Sequence, residues 1–136
     1  MKMMSKVSYL GDLRTKAVHV KTGDSVITDA PVDNEGKGEA FSPTDLVATS
    51  LASCILTIMG IVAKRENLDL KGTRAEVDKI MLASPRRINE IRIKIFLNKN
   101  FDKDVRKKLE KAALSCPVKG SLNKDINETI KFIYPL

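Results

Sequence analysis

Eighteen consecutive residues, Leu46 to Ala63, carry no charge, in a chain where 30% of residues are charged. No other feature restricts the fold as strongly. Ser42-Pro43 just ahead is a helix start, a hydroxyl N-cap followed by proline at the first helical position. Asp45 falls in the first turn, where a negative charge meets the positive end of the helix dipole. The stretch reaches the lower length limit for a membrane span, about 17 residues. Thr49, Ser50, Ser53, Thr57 and Gly60 dilute it, however, and the chain on either side has a globular pattern. The expectation is therefore a central helix buried on nearly all sides, inside a core or a subunit interface, with no membrane partner.

The segments around this helix read as strands and one more helix. Ser5–Leu10, Thr15–Val20 and Ser25–Asp29 are short β-prone runs, with turn chemistry at Gly11-Asp12 and Gly23-Asp24. Ala30–Phe41 reads as a loop. Its Gly36 and Gly38 do not extend into a dinucleotide fingerprint, because Phe41 stands where the third glycine belongs. Beyond Asn67, Thr73–Ala83 and Ile88–Asn98 form a strand pair around a turn at Ser84-Pro85-Arg86-Arg87. Ile91, Ile93, Ile95 and Leu97 alternate with Arg92, Lys94 and Phe96, the pattern of a half-buried strand. Asp102 caps a helix whose apolar positions Val105, Leu109, Ala112 and Cys116 form one stripe, ended by Pro117. Glu128–Tyr134 reads as a last strand. The order βββ-α-ββ-α-β predicts an α+β fold, with antiparallel sheet packed on the long helix, in a single domain covering 1–136.

Composition narrows the functional classes. The net charge of +7 favours anionic partners, but the cations are scattered singly or in pairs, and aromatic residues amount to 4% with no Trp. Neither a nucleic-acid arm nor a base-stacking platform is present, so solvated faces are the preferred reading of the basicity. One His and two Cys cannot close a structural zinc site without carboxylates. The first ten residues lack the apolar core of a secretory signal, which points to the cytoplasm. His19 has no partner that the sequence can name. Phe41, Ile58 and Met59 are compatible with a pocket for an apolar tail, and equally with ordinary core packing.

The two cysteines, Cys54 and Cys116, lie 62 positions apart. Free cysteine is among the most buried residue types, so two inert core thiols are the plain interpretation. Placement argues otherwise. Cys116 ends the apolar stripe of its helix and should face the core where Cys54 lies. Two thiols in one pocket can cycle between dithiol and disulfide, and in the cytoplasm a redox bridge is favoured over a permanent one.

The segment Phe41-Ser42-Pro43-Thr44-Asp45-Leu46-Val47-Ala48-Thr49-Ser50-Leu51-Ala52-Ser53-Cys54 resembles the first cysteine motif of the OsmC/Ohr family, which contains osmotically inducible and organic hydroperoxide resistance proteins. Ser115-Cys116-Pro117-Val118-Lys119-Gly120-Ser121-Leu122 resembles its second. The resemblance implies an α+β fold in an intertwined homodimer with the long helices buried centrally. It also implies thiol-dependent reduction of organic hydroperoxides, and of hydrogen peroxide as a further substrate. In that reading Cys54 is the peroxidatic thiol and Cys116 the resolving one. No cofactor is implied; an external dithiol, of lipoyl type in one branch, restores the thiols.

An apolar site raises a thiol pKa, so the thiolate needs a nearby cation. The family uses an arginine from the N-terminal strands, and Arg14 is the candidate, being the only arginine before Cys54. In the hydroperoxide branch a glutamate just after the motif's proline orients that arginine. Here Thr44 occupies that position and Asp45 follows it. Asp45 lies nine residues before Cys54, about 13 Å along a helix, so it acts only through the arginine or as a helix cap. Glu39 is the fallback acid. The alternative to a peroxidase is a non-catalytic module of the same fold that binds a small apolar ligand or an anionic partner.

Overall fold

The computed structural model describes residues 2–136. The fold is α+β, with two three-stranded sheets and three α-helices. Packing divides it into two units, with the boundary inside the long helix between Val47 and Ala48.

The N-terminal unit holds β1 (Ser5–Gly11), β2 (Arg14–His19) and β3 (Ser25–Asp29), paired antiparallel in chain order. The β1–β2 turn runs through Asp12 and Leu13 at φ 53° and 62°. Two successive left-handed residues match the twist of a hairpin, and Asp tolerates that region better than Leu. The Leu13 carbonyl accepts the Ala30 N–H at 3.0 Å, which ties the turn to the end of β3. Register aligns Val7, Ala17 and Val26 on one face, and Val7 and Tyr9 are 65% and 67% exposed. After β3 the chain makes a 3₁₀ turn at Val32–Asn34 and folds back on itself. A Cβ at Gly36 would lie 1.8 Å from the Ala30 carbonyl oxygen, so only glycine allows this approach.

Helix α1 (Pro43–Arg65) begins with a reciprocal cap. The Asp45 N–H donates to Ser42 Oγ at 3.0 Å, and the Ser42 N–H donates to Asp45 Oδ2 at 2.9 Å. Ala48, Leu51, Ala52, Ile55, Met59 and Ala63 are buried, one face at helical spacing. Ser50, Ser53, Thr57 and Ile61 are exposed. The expected burial on nearly all sides is thus met on one face only. Small hydroxyls occupy much of the uncharged opposite side.

The second unit adds β4 (Arg74–Ala83), β5 (Arg86–Phe96), α2 (Lys103–Ala113), α3 (Pro117–Ser121) and β6 (Asn127–Ile133). Ile88, Ile91, Ile93, Ile95 and Leu97 join the buried face of α1 and Leu109, Ala113 and Cys116 in one core cluster. Three details correct the sequence reading. Arg86 and Arg87 belong to β5, leaving Ser84-Pro85 as the turn. The β4–β5–β6 sheet is mixed, since β6 runs parallel to β5, with Ile93 opposite Ile130. The long α2–α3 connection returns the chain to the same end of the sheet, which a short hairpin cannot do. Finally, Pro117 does not merely end a helix: α2 stops at Ala113, and Pro117 opens α3.

Candidate functional site

The candidate side chains fall into two groups, one in each unit. In the second unit, α1 supplies Cys54, half-buried, and the α2–α3 junction supplies Cys116, 2% exposed. Both thiols are free, and they meet at the same apolar core, Cys116 within it and Cys54 packed against it. Cys116 is the N-cap of α3, and its Sγ accepts the Lys119 N–H at 3.3 Å. Burial pushes the Cys116 thiol above its ordinary range. The Lys119 amide pulls the other way, while Cys54 as hydrogen-bond partner and charge adds to the rise. The Cys116 sulfur is therefore a protonated thiol at neutral pH until something removes its proton.

Cys116 opens on a pocket of about 500 Å³, lined also by Leu114, Lys119, Leu122, Asn127 and Glu128. Glu128 pairs in register with Ile91, on the side of β6 that carries Ile130 and Phe132. Its Oε1 lies 3.1 Å from Lys119 Nζ. Sequence reasoning passed over this carboxylate. The signal was present, because Glu128 interrupts an apolar alternation from Ile126 to Phe132.

In the N-terminal unit Arg14 opens β2 directly across from Asp29 at the end of β3. Arg14 Nε and Nη2 donate to Asp29 Oδ1 and Oδ2 at 2.7 and 2.9 Å, a bidentate pair. Asp29 is 1% exposed and also accepts the Glu39 N–H at 3.1 Å. The Arg14 guanidinium, first through its hydrogen bonds, holds the Asp29 carboxyl below the usual range. Asp29 is thus the carboxylate seen holding Arg14, a residue not singled out from sequence. Glu39, the fallback acid, is exposed; its charge reinforces that of Arg14, and its amide serves Asp29. Asp45 is engaged in the helix cap, and the Thr44 hydroxyl lies 3.3 Å from Ser42 Oγ. Phe41 is half-exposed and bridges to Thr28 through its backbone, whereas Met59 is wholly buried in the core and Ile58 packs at its edge. His19 is exposed and shares a hydrogen bond with Thr22. Among the described residues no cluster of three or more His, Cys, Asp or Glu is arranged to hold a metal ion.

With this geometry in place, the chain can be set beside known proteins. A model of the OsmC-like protein family matches residues 36–131. A crystal structure from Psychrobacter arcticus, of a protein described as an osmotic stress induced and detoxification response protein, is 52% identical. It superposes with a TM-score of 0.94, over 97% of this chain and 96% of that one. The organic hydroperoxide resistance protein OsmC of Legionella pneumophila has the same fold at 14% identity, with a TM-score of 0.75 over 98% of both chains. The organic hydroperoxide resistance protein OhrB of Bacillus subtilis shares it at 16% identity, with a TM-score of 0.65 over 96% of this chain and 98% of that one. No curated protein matches.

Proposed function

The chain belongs to the OsmC-like family, and from that premise we propose that it reduces organic hydroperoxides through Cys54 and Cys116. One observation carries the reading: two free thiols, distant in sequence, meet at one apolar core, Cys116 within it and Cys54 packed against it. Cys54 attacks as thiolate. Its sulfur bonds to one peroxide oxygen, the O–O bond breaks, and the leaving alkoxide takes a proton to become an alcohol. The resulting sulfenic acid meets Cys116, which displaces the hydroxyl as water and closes a disulfide. An external dithiol, of lipoyl type by the family resemblance, then reopens the bridge by exchange and becomes a disulfide itself. Hydrogen peroxide, giving water in place of the alcohol, is the second substrate of the same cycle. The cycle suits a reducing compartment such as the cytoplasm.

Arg14 is the proposed cation that favours the thiolate, and its bidentate hold by Asp29 supports a fixed guanidinium direction. Asp45 enters as a positioning residue, acting on the arginine only from within the helix cap. The working unit is a homodimer. The exposed uncharged side of α1 and the apolar row Val7, Ala17 and Val26 support it, since both are surfaces that a second copy would cover.

Stopped-flow mixing of reduced protein with cumene hydroperoxide and with hydrogen peroxide tests the proposal. Cys54→Ser should abolish rapid thiol consumption, and Cys116→Ser should stall at a sulfenic acid trapped by dimedone. Oxidation no faster than that of a free thiol would reject the peroxidase and leave a binding module of the same fold.

A further inference from the structure

Lys119 is anchored at both ends. Its backbone N–H donates to Cys116 Sγ at 3.3 Å, and its ammonium lies 3.1 Å from Glu128 Oε1. Glu128 is an unusual occupant of its position. It is only 11% exposed, in register with Ile91, on the strand face that otherwise carries Ile130 and Phe132. A carboxylate buried among apolar neighbours is costly unless paired, so its presence calls for an explanation. Oε1 is shielded from solvent and makes no aligned hydrogen bond, so the Lys119 ammonium answers it as an ion pair. The element between these anchors is α3, five residues long. A helix of that length does not hold its own shape, and external contacts must fix its first turn. That turn carries the Cys116 thiol.

We propose that the Lys119–Glu128 pair is a positioning clamp for the resolving thiol. By fixing the α3 turn against β6, it sets the rate at which Cys116 closes on oxidised Cys54. In the closing step the Cys54 S–O bond breaks and the Cys54–Cys116 S–S bond forms. The Cys116 proton leaves with the hydroxyl as water, so the Cys116 sulfur is oxidised and the Cys54 sulfur reduced. Neither Lys119 nor Glu128 takes part in the attack of Cys54 on an oxidant. The clamp therefore acts on the second step alone. It rests on the dithiol cycle proposed above, and its test separates the two.

The test compares wild type with Lys119→Met, Lys119→Arg and Glu128→Gln, each oxidised in one arm by a single equivalent of cumene hydroperoxide and in the other by diamide. Diamide couples neighbouring thiols whatever the protein does with peroxides. Loss of the Cys54 thiol and formation of the disulfide are followed separately. Lys119→Met and Glu128→Gln should leave the first step unchanged within about twofold and slow closure roughly tenfold or more, as expected when a reacting group is loosened by an ångström or so. Lys119→Arg, which keeps the charge, should restore closure. A change confined to closure and rescued by arginine is not what general loosening of the fold produces. Where the single variants fail to fold, the double variant Lys119→Met/Glu128→Leu refills the apolar row and removes both charges; it too should close slowly. Closure at the wild-type rate in the single variants, or in that folded double variant, overturns the clamp. A wild type that ignores peroxide yet closes under diamide refutes the peroxidase and leaves the diamide arm to decide the clamp.

Discussion

In the N-terminal unit a cation is fixed by an anion: Arg14 on β2 meets Asp29 on β3 through two hydrogen bonds, on a sheet whose first strand is exposed along nearly its whole length. In the unit from Ala48 onward, one thiol, Cys116, lies within a cluster rich in isoleucine, leucine and alanine, and the other, Cys54, packs against it. The first arrangement depends on charge and is set by strand register. The second depends on burial and is set by the stripes of α1 and α2. The proposed peroxide reduction would draw on both, a fixed positive charge and a thiol held in an apolar core. Whether the charge serves the thiol is what the variants below decide.

The largest effect should come from the core. Leu109→Ala removes a wholly buried side chain and should cost about 2–5 kcal/mol in urea unfolding. Val7→Ala on the exposed β1 should cost less than about 0.5 kcal/mol in a monomer. A larger loss at Val7 that grows with protein concentration would show that a second copy covers that sheet, and would sharpen the contrast into one between core and interface. Next comes the ion pair. Asp29→Asn and Arg14→Lys both lose the bidentate geometry and should lower the rate of peroxide consumption by roughly ten- to a hundredfold, with the fold retained by circular dichroism. Equal rates would detach the N-terminal pair from the chemistry.

A third prediction concerns accessibility. At neutral pH iodoacetamide should label half-buried Cys54 about ten times faster than Cys116, whose thiol is buried and raised in pKa. Peptide mass mapping reads this directly. The smallest effect lies in the acid limb of stability. Asp29 is held below its ordinary value by Arg14, so its contribution is complete above an ordinary aspartate pKa of about 3.9 and fades as pH falls through the lower folded value. Asp29→Asn should flatten that limb in urea melts taken between neutral and acid pH. An unchanged limb would show that the pair carries no such linkage.

Much of this was legible in the residues. The bounds of β3, Ser25–Asp29, follow from propensity and turn chemistry, and the start of α1 from Ser42-Pro43 with Asp45 three residues beyond the cap. Both are local signals. α3 was missed because five residues show no helical period, and because proline both ends one helix and begins another. The direction of β6 was not legible, since a two-residue alternation reads the same in parallel and antiparallel sheets. Asp29 and Glu128 escaped for a related reason: each gains its meaning from a partner brought to it by strand register or chain return. Cys54 and Cys116 stand out as candidates because their surrounding motifs are specific, although their spacing alone says nothing about contact.

The most direct measurement is a single turnover. Reduced protein is given one equivalent of cumene hydroperoxide, quenched at intervals, alkylated and mapped by mass spectrometry. The account predicts prompt loss of both thiols, one alcohol released per chain, and a Cys54–Cys116 disulfide as the product. Slow oxidation that scatters over both cysteines without joining them would contradict it.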